Sequence, residues 1–289
     1  MKAAIYPNFR KTHALECARR VCDIMDKNGI EVLVDECYRK EFADKEYVKY
    51  GVFDEIAEDI DIAVAVGGDG TILKCAKHLV ETDTLLIGIN TGRLGFMSAL
   101  EFDQPEHIEK LLNGYYKVSE RMLLTCKIQN GKESTYKLRA LNDVTISAAY
   151  SDICDFDVCC DGLHIGSYRA DGAVFSTPTG STAYSLSAGG PIIEPDMKCI
   201  EMTLICPHSL FTRPMVFAPQ RKLRFENTSE DNPELFVSVD GGNPIKLPLG
   251  SSVEITGSKH VIRLADMATN NFFNSLNKKF MRPIKKAED

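Results

Sequence analysis

The sequence predicts two domains of different class: an α/β domain on a parallel sheet over residues 1–118, and a mostly antiparallel β domain over 119–266. A C-terminal segment, 267–289, is expected to pack back on the first domain. Three observations carry this. Strand-like and helix-like segments alternate with short connections up to about Val118. After that point Asn-Gly and Asp-Gly dipeptides separate strand-like runs, the short-range signal of β-hairpins. No low-complexity linker or internal repeat interrupts the chain, and 289 residues suit two cores better than one.

Ala3–Tyr6 reads as a strand, Thr12–Asn28 as an amphipathic helix closed by Gly29, and Glu31–Val34 as a second strand, a β-α-β opening. Asp61–Val66 is apolar and β-branched without alternation, as in a strand covered on both faces. A helix over Ile72–Val80, a strand over Leu85–Asn90 and a helix over Gln104–Leu112 follow. In the second domain Arg121–Gln129 and Lys137–Ile146 flank Asn130-Gly131, and Phe156–Cys160 and Leu163–Ser167 flank Asp161-Gly162. Phe236–Val239 leads into Asp240-Gly241-Gly242, and Ala173–Ser176 is a further strand. Leu141-Asn142-Asp143-Val144 is placed inside a strand. The tail from Met267 is helical in part and ends in a charged, solvated stretch, Lys285-Lys286-Ala287-Glu288-Asp289.

Composition narrows the function. A hydrophobic fraction of 44% with 26% charged residues fits a folded globular chain, and no apolar run approaches the roughly 20 residues that span a bilayer. The N-terminus enters a strand at once, without a signal-peptide segment. The ten cysteines form no C-x-x-C pair and meet no histidine cluster, so they are expected as reduced thiols of a cytoplasmic protein. A net charge of −7 argues against a nucleic-acid surface, which needs a basic face.

The chemistry concentrates at glycine-rich segments. Gly67-Gly68-Asp69-Gly70-Thr71 follows a buried strand and opens a helix, so its backbone can take positive φ and press close to a ligand. The N–H groups starting the next helix point unpaired at the space above, a place for phosphate. A carboxylate there repels phosphates unless it has a chemical task, and Asp69 is assigned one. Asn90-Thr91-Gly92-Arg93-Leu94-Gly95 falls at the end of another strand, where ligands of parallel sheets gather. Ser176–Pro191 is the densest run of hydroxyls and small residues; a loop and a Ser- or Thr-capped helix explain its backbone. Its composition suits a nucleoside, with hydroxyls for ribose and base edges and Tyr184 as a stacking face. Asn142, Asp143 and Asp171 offer acceptors of the kind that ribose or an exocyclic amine requires. A dinucleotide fingerprint after the first strand is absent, since Tyr6-Pro7-Asn8-Phe9-Arg10 occupies that turn.

Gly67-Gly68-Asp69-Gly70-Thr71 resembles the signature shared by NAD kinases, diacylglycerol and sphingosine kinases and, more distantly, phosphofructokinases. Asn90–Phe96, Leu141-Asn142-Asp143, Ser176–Pro191 and Pro207–Pro214 follow in the order found in bacterial NAD kinases, and the lipid kinases lack the long Ser176–Pro191 type of segment. The resemblance covers about residues 61–250 and implies the two-domain NAD kinase/diacylglycerol kinase-like fold. It implies transfer of the γ-phosphoryl of ATP, or of polyphosphate, to the 2′-hydroxyl of the adenosine ribose of NAD, giving NADP, with Asp69 as general base. Gly67, Gly68, Gly70, Thr71, Lys74 and Arg93 then belong to the phosphates. Asp69, Gly70, Phe96, Asn142, Asp143, Arg169, Asp171, Thr179, Thr182, Ala183, Tyr184, Ser185, Leu186, Ser187 and Cys206 belong to NAD, with Phe96 against the adenine. Mg²⁺ would travel with the nucleotide rather than in a protein cage. Cys206 and His208 would lie near a neighbouring subunit's site in a homodimer or homotetramer. Two departures stand out: Asp143 where bacterial members commonly have Glu, and Gly242 and Asn243 where a glutamine is frequent.

Two other readings share the Asp69 loop. A lipid kinase would want a basic amphipathic membrane-docking helix, which the sequence lacks. A non-catalytic dinucleotide sensor would have no need of Asp69.

Overall fold

The structure, a computed structural model, describes residues 1–92, 95–104, 106–130, 134–149, 152–209, 211–231, 234–267 and 272–280. The chain forms two compact units, one of Met1–Glu120 with Ile262–Asp289, the other of Arg121–Val261. Among the described residues no helix is long and apolar enough to cross a membrane.

The first unit is a parallel sheet with helices. Strands β1 (Lys2–Pro7), β2 (Glu31–Asp35), β3 (Lys49–Gly51), β4 (Ile62–Gly67) and β5 (Leu85–Asn90) lie in the order β3-β2-β1-β4-β5, and β6 (Leu100–Glu101) also pairs with β5. Every residue of β4 and β5 is buried, which is why neither sequence alternates. Helix α1 (Ala14–Lys27) buries Ala14, Cys17, Ala18, Val21, Cys22 and Met25 at helical spacing. It ends at Gly29 (φ 72°), whose N–H donates to the Asp26 carbonyl at 2.8 Å, while Ile30 N–H reaches Met25 at 3.0 Å. Strand β3 and helix α2 (Phe53–Ala57) were not expected, because elements so short carry little periodicity. Helix α3 (Asp69–His78) starts earlier than the sequence suggests, and α4 (His107–Leu112) starts later: a turn in which His107 N–H donates to Gln104 precedes it.

The second unit is antiparallel. After β7 (Lys117–Asn130) and β8 (Ser134–Ala140) come β9 (Asp143–Ala148), β10 (Cys154–Cys160), β11 (Leu163–Ala170) and β12 (Gly172–Ser176). A one-turn helix α5 (Tyr184–Ser187) precedes β13 (Ile200–Ile205), β14 (Met215–Phe217), β15 (Leu223–Asn227), β16 (Leu235–Val239), β17 (Ile245–Leu247) and β18 (Ser252–Asp266). A six-stranded sheet has the order β14-β13-β12-β9-β16-β17, and β11-β10-β15-β18 form a second layer in which β7 pairs with both β18 and β8. Phe156, Phe175 and Phe225 are fully buried in the core of this unit, Phe156 and Phe225 stacking at 4.4 Å. Both Asp-Gly signals make hairpins with left-handed residues, Asp161 (φ 51°) with Gly162 (φ 83°) and Asp240 (φ 48°) with Gly241 (φ 62°). The pairing of β7 with β8 runs out to Asn130 opposite Ser134, and Gly131 lies outside the described residues.

One expectation fails here. Lys137–Ile146 is not a single strand: the chain leaves β8, bends at Leu141-Asn142 and enters β9 in the other sheet. Strand propensity could not reveal a bend made by a partner 98 residues away, since Asp240 takes the Asn142 N–H. The end of β18 returns to the first unit, with Arg263 and Leu264 opposite Leu85 and Leu86 of β5. Helix α6 (Phe272–Phe280) follows; the charged stretch from Lys285 lies outside the described residues.

Candidate functional site

In the first unit β4 runs into the glycine turn and α3 begins on Asp69 itself, with Gly68 as its N-cap. The positive φ open to these glycines is not used: Gly68 sits at φ −128°, and Gly67 and Gly70 are not among the left-handed residues. Space, not conformation, requires glycine at position 67, where a Cβ would fall 2.2 Å from Thr71 Oγ1. That hydroxyl is buried and receives the Asn8 side-chain amide at 3.2 Å and the Gly68 N–H at 3.4 Å. Thr71 N–H donates to the Gly68 carbonyl at 2.7 Å. Thr71 therefore builds the turn from within, and its backbone donor, expected on phosphate, is already engaged. The N–H groups of Asp69 and Gly70 open the first helical turn without a partner among the described residues, where helix geometry leaves donors pointing outward.

The Asp69 carboxylate accepts from Phe96 N–H at 2.9 Å and Met97 N–H at 3.3 Å, one on each oxygen. A Cβ at Gly95 would lie 2.1 Å from Asp69 Oδ1, so the segment after β5 can clasp this carboxylate only with glycine there. A carboxylate has about four lone-pair sites, so two remain for other donors. Asn90 holds the same segment, donating to Glu101 at 2.8 Å and accepting from Gly92 N–H at 3.1 Å. Desolvation raises the Glu101 pKa against the opposing effect of that amide. Lys74 is exposed on α3, and Arg93 lies outside the described residues. Phe96 is half-buried under α6: its ring is 5.9 Å from Phe272, 6.0 Å from Phe280 and 4.0 Å from Lys279 Nζ. Its contacts in this structure are thus with the chain itself.

In the second unit the bend at Leu141-Asn142 is gripped from two sides. Asp240, at the β16–β17 turn, accepts the backbone N–H groups of Leu141 (2.9 Å), Asn142 (2.7 Å) and Asp143 (3.1 Å). On the other side Thr177 donates its hydroxyl to the Leu141 carbonyl at 2.5 Å and its N–H to the Asn142 carbonyl at 2.8 Å. Asn142 and Asp143 are held without recourse to their own side chains. Asn142 Oδ1 and Thr179 Oγ1 are buried with no hydrogen-bond partner among the described residues. Asp143 accepts from Thr145 at 3.1 Å; burial first, then the charge of Asp240, push its carboxyl up to about 6.

The hydroxyl-rich segment contains a single turn of 3₁₀ helix, Gly180–Thr182, and then α5, and no Ser or Thr side chain caps α5 as expected. Its hydroxyls divide into two sets. Those of Ser176, Thr177, Ser181 and Ser185 are buried and bonded inside the unit, Ser176 and Ser185 to Glu201 and Ser181 to the Pro178 and Ile193 carbonyls. Thr182, Ala183 and Leu186 are half-buried, and Tyr184 and Ser187 are exposed. Ser185 thus supports the surface from behind. Arg169 is exposed and bidentate to Asp155 at 2.8 and 2.9 Å. Its carbonyl accepts from His208 N–H at 2.9 Å, and Asp171 N–H donates to Ile205 at 3.0 Å, so Arg169, Asp171, Cys206 and His208 gather at one end of β12 and β13. Cys206 is exposed, in a left-handed conformation (φ 45°).

Sequence reasoning missed Asp240 and Glu201. From the sequence Asp240 reads as a turn residue, although an aspartate before Gly-Gly can both turn the chain and accept hydrogen bonds. Glu201, in the apolar strand Ile200–Ile205, was the available signal of a buried polar cluster. Among the described residues no group of three or more His, Cys, Asp or Glu side chains is placed to hold a metal ion.

Residues 4–120 match the family described as ATP-NAD kinase N-terminal domain, and 141–267 that described as ATP-NAD kinase C-terminal domain. The chain is 34% identical over 280 residues to the NAD kinase of Citrifermentans bemidjiense, covering 96% of this chain and 97% of that protein. It is similar to the solved structure of yeast NADH kinase complexed with NADH, with a TM-score of 0.90 and 25% identity over 100% of this chain and 90% of that one. An NAD kinase from Archaeoglobus fulgidus in complex with ATP shares the fold at a TM-score of 0.75 and 23% identity, over 96% of this chain and 98% of that one.

Proposed function

The chain belongs to the NAD kinase family and is a phosphotransferase of that family, and on this premise we propose that Asp69 is the base that takes the proton of the 2′-hydroxyl of the adenosine ribose of NAD as a phosphoryl group arrives. The observation that carries the assignment is the carboxylate clasped by the Phe96 and Met97 N–H groups at the opening of α3, oriented yet with acceptor sites to spare. ATP is the donor in this reading, with polyphosphate as the alternative. The N–H groups of Asp69 and Gly70 receive phosphate oxygens, with Lys74 nearby on α3 and Arg93 assigned by resemblance.

In this reading a divalent cation is carried by the nucleotide's phosphates. Such a cation, bound with the phosphates, neutralises their charge. NAD is assigned to the second unit, where the unpartnered Asn142 Oδ1 and Thr179 Oγ1 meet its polar groups. Asp143, Arg169, Asp171, Thr182, Ala183, Tyr184, Leu186, Ser187 and Cys206 complete its surroundings in this reading. A homodimer or homotetramer in the cytoplasm goes with it, and the free thiols of the ten cysteines suit a reducing compartment.

The test is NADP formation from NAD, Mg²⁺ and either ATP or polyphosphate, beside a diacylglycerol control. Asp69→Asn is expected to lower kcat by about 10²- to 10⁴-fold while leaving the calorimetric affinity for NAD within a few-fold. An Asp69→Asn protein that turns over normally would remove Asp69 from the chemistry, and product from diacylglycerol alone would reverse the substrate.

A further inference from the structure

Glu201 has no part in the reaction as derived above, yet it is a fully buried acidic side chain in the second unit. It lies on β13, second from one edge of the six-stranded sheet, at 0% exposure, and no ion pair among the described residues includes it. A buried carboxyl is costly unless its oxygens are hydrogen-bonded, and an apolar side chain at this strand position would simply pack. Here both oxygens are occupied by hydroxyls. Ser176 donates to Oε2 at 2.8 Å, and Ser185 and Thr203 donate to Oε1 at 2.8 and 2.9 Å.

The three hydroxyls come from places that matter to one segment. Ser176 ends β12 directly opposite Glu201 in the pairing with β13, Ser185 lies in α5, and Thr203 is two residues along β13. The chain between Ser176 and Ser185 is therefore tied at both ends to one carboxylate on β13. Its return path is tied too: Gly190 N–H donates to the Ser185 carbonyl at 2.9 Å, and a Cβ at Gly190 would fall 2.0 Å from Glu201 Oε1. Tyr184, adjacent to the anchored Ser185, is 45% exposed.

We propose that Glu201 is a positioning residue which, through Ser176, Ser185 and Thr203, holds the Thr179–Ser187 segment in the shape that receives the dinucleotide. The proposal rests on the reading that the second unit binds NAD. A segment ordered in advance loses less freedom when its ligand arrives, so the effect belongs to NAD affinity and not to the phosphoryl donor.

Glu201→Ala is expected to weaken the calorimetric affinity for NAD on the order of tenfold and raise KM for NAD similarly, with KM for ATP little changed. Glu201→Gln should recover most of the loss, because an amide of the same length keeps an acceptor and its NH₂ can donate to a hydroxyl oxygen. A merely structural residue would lower the melting temperature without separating NAD from ATP. Unchanged NAD affinity in folded Glu201→Ala, or equal losses for both nucleotides, overturns the proposal. If Glu201→Ala fails to fold, Ser176→Ala and Thr203→Val each remove one donor, and unchanged NAD affinity in both overturns it equally. Wild-type protein that binds NAD but forms no NADP would defeat the kinase reading alone, since the affinities still decide the role of Glu201.

Discussion

Asp143→Asn is expected to make the protein more stable at neutral pH while impairing it as an enzyme. The Asp143 carboxyl is raised from 3.8 to about 6 by burial and by the neighbouring Asp240 charge. Each unit of pKa is worth about 1.4 kcal/mol, so keeping the ionised form in the folded protein costs about 3 kcal/mol above that upper value. Between the two values the folded chain holds a proton that the unfolded chain has lost, so stability falls as pH rises through this window. By about pH 4.5 the folded carboxyl is protonated and the cost shrinks to about 1 kcal/mol. Asn has nearly the same shape, keeps an acceptor for Thr145 and has no charge to bury. Urea unfolding followed by circular dichroism should therefore show Asp143→Asn ahead by about 3 kcal/mol near pH 7.5 and by about 1 kcal/mol near pH 4.5. A variant no more stable than wild type at pH 7.5, or a difference that does not change with pH, would refute the argument. A charge retained at this cost is what a ligand-binding role for Asp143 would demand.

Three further outcomes follow from geometry and charge. Gly95→Ala places a Cβ 2.1 Å from Asp69 Oδ1 and must push the carboxylate aside, so NADP formation should fall by about 10²-fold, with the far-UV circular dichroism unchanged. Asp240→Ala strips the acceptor from three N–H groups at the Leu141–Asp143 bend and should cost about 3 kcal/mol in urea unfolding. In the double variant with Asp143→Asn the two changes should not add, because the Asp240 charge is part of what Asp143 suffers.

The fold class was legible because its signals are local. Unbroken apolar runs mark β4 and β5, a three-and-four spacing marks α1, and Asp-Gly pairs mark two hairpins; each is a property of adjacent residues and survives without knowledge of the rest. Residue type and motif order likewise sufficed for the family, since Asp69 between glycines and the Ser176–Pro191 run are recognisable wherever they fold. What the tertiary structure decided are the relations between residues far apart in the chain. The bend that presents Asn142 exists because Asp240 takes three N–H groups that a continuous strand would have used otherwise. The glycine turn is dictated by the room that Thr71 and Asp69 need and not by unusual φ angles, a matter of contact that composition cannot express. The hydroxyls of Ser176 and Ser185 are plain in the sequence, but that both donate to the carboxylate of Glu201 is visible only in the fold. Hydrogen-bond partners and excluded volume are non-local quantities, and no run of adjacent residues expresses them.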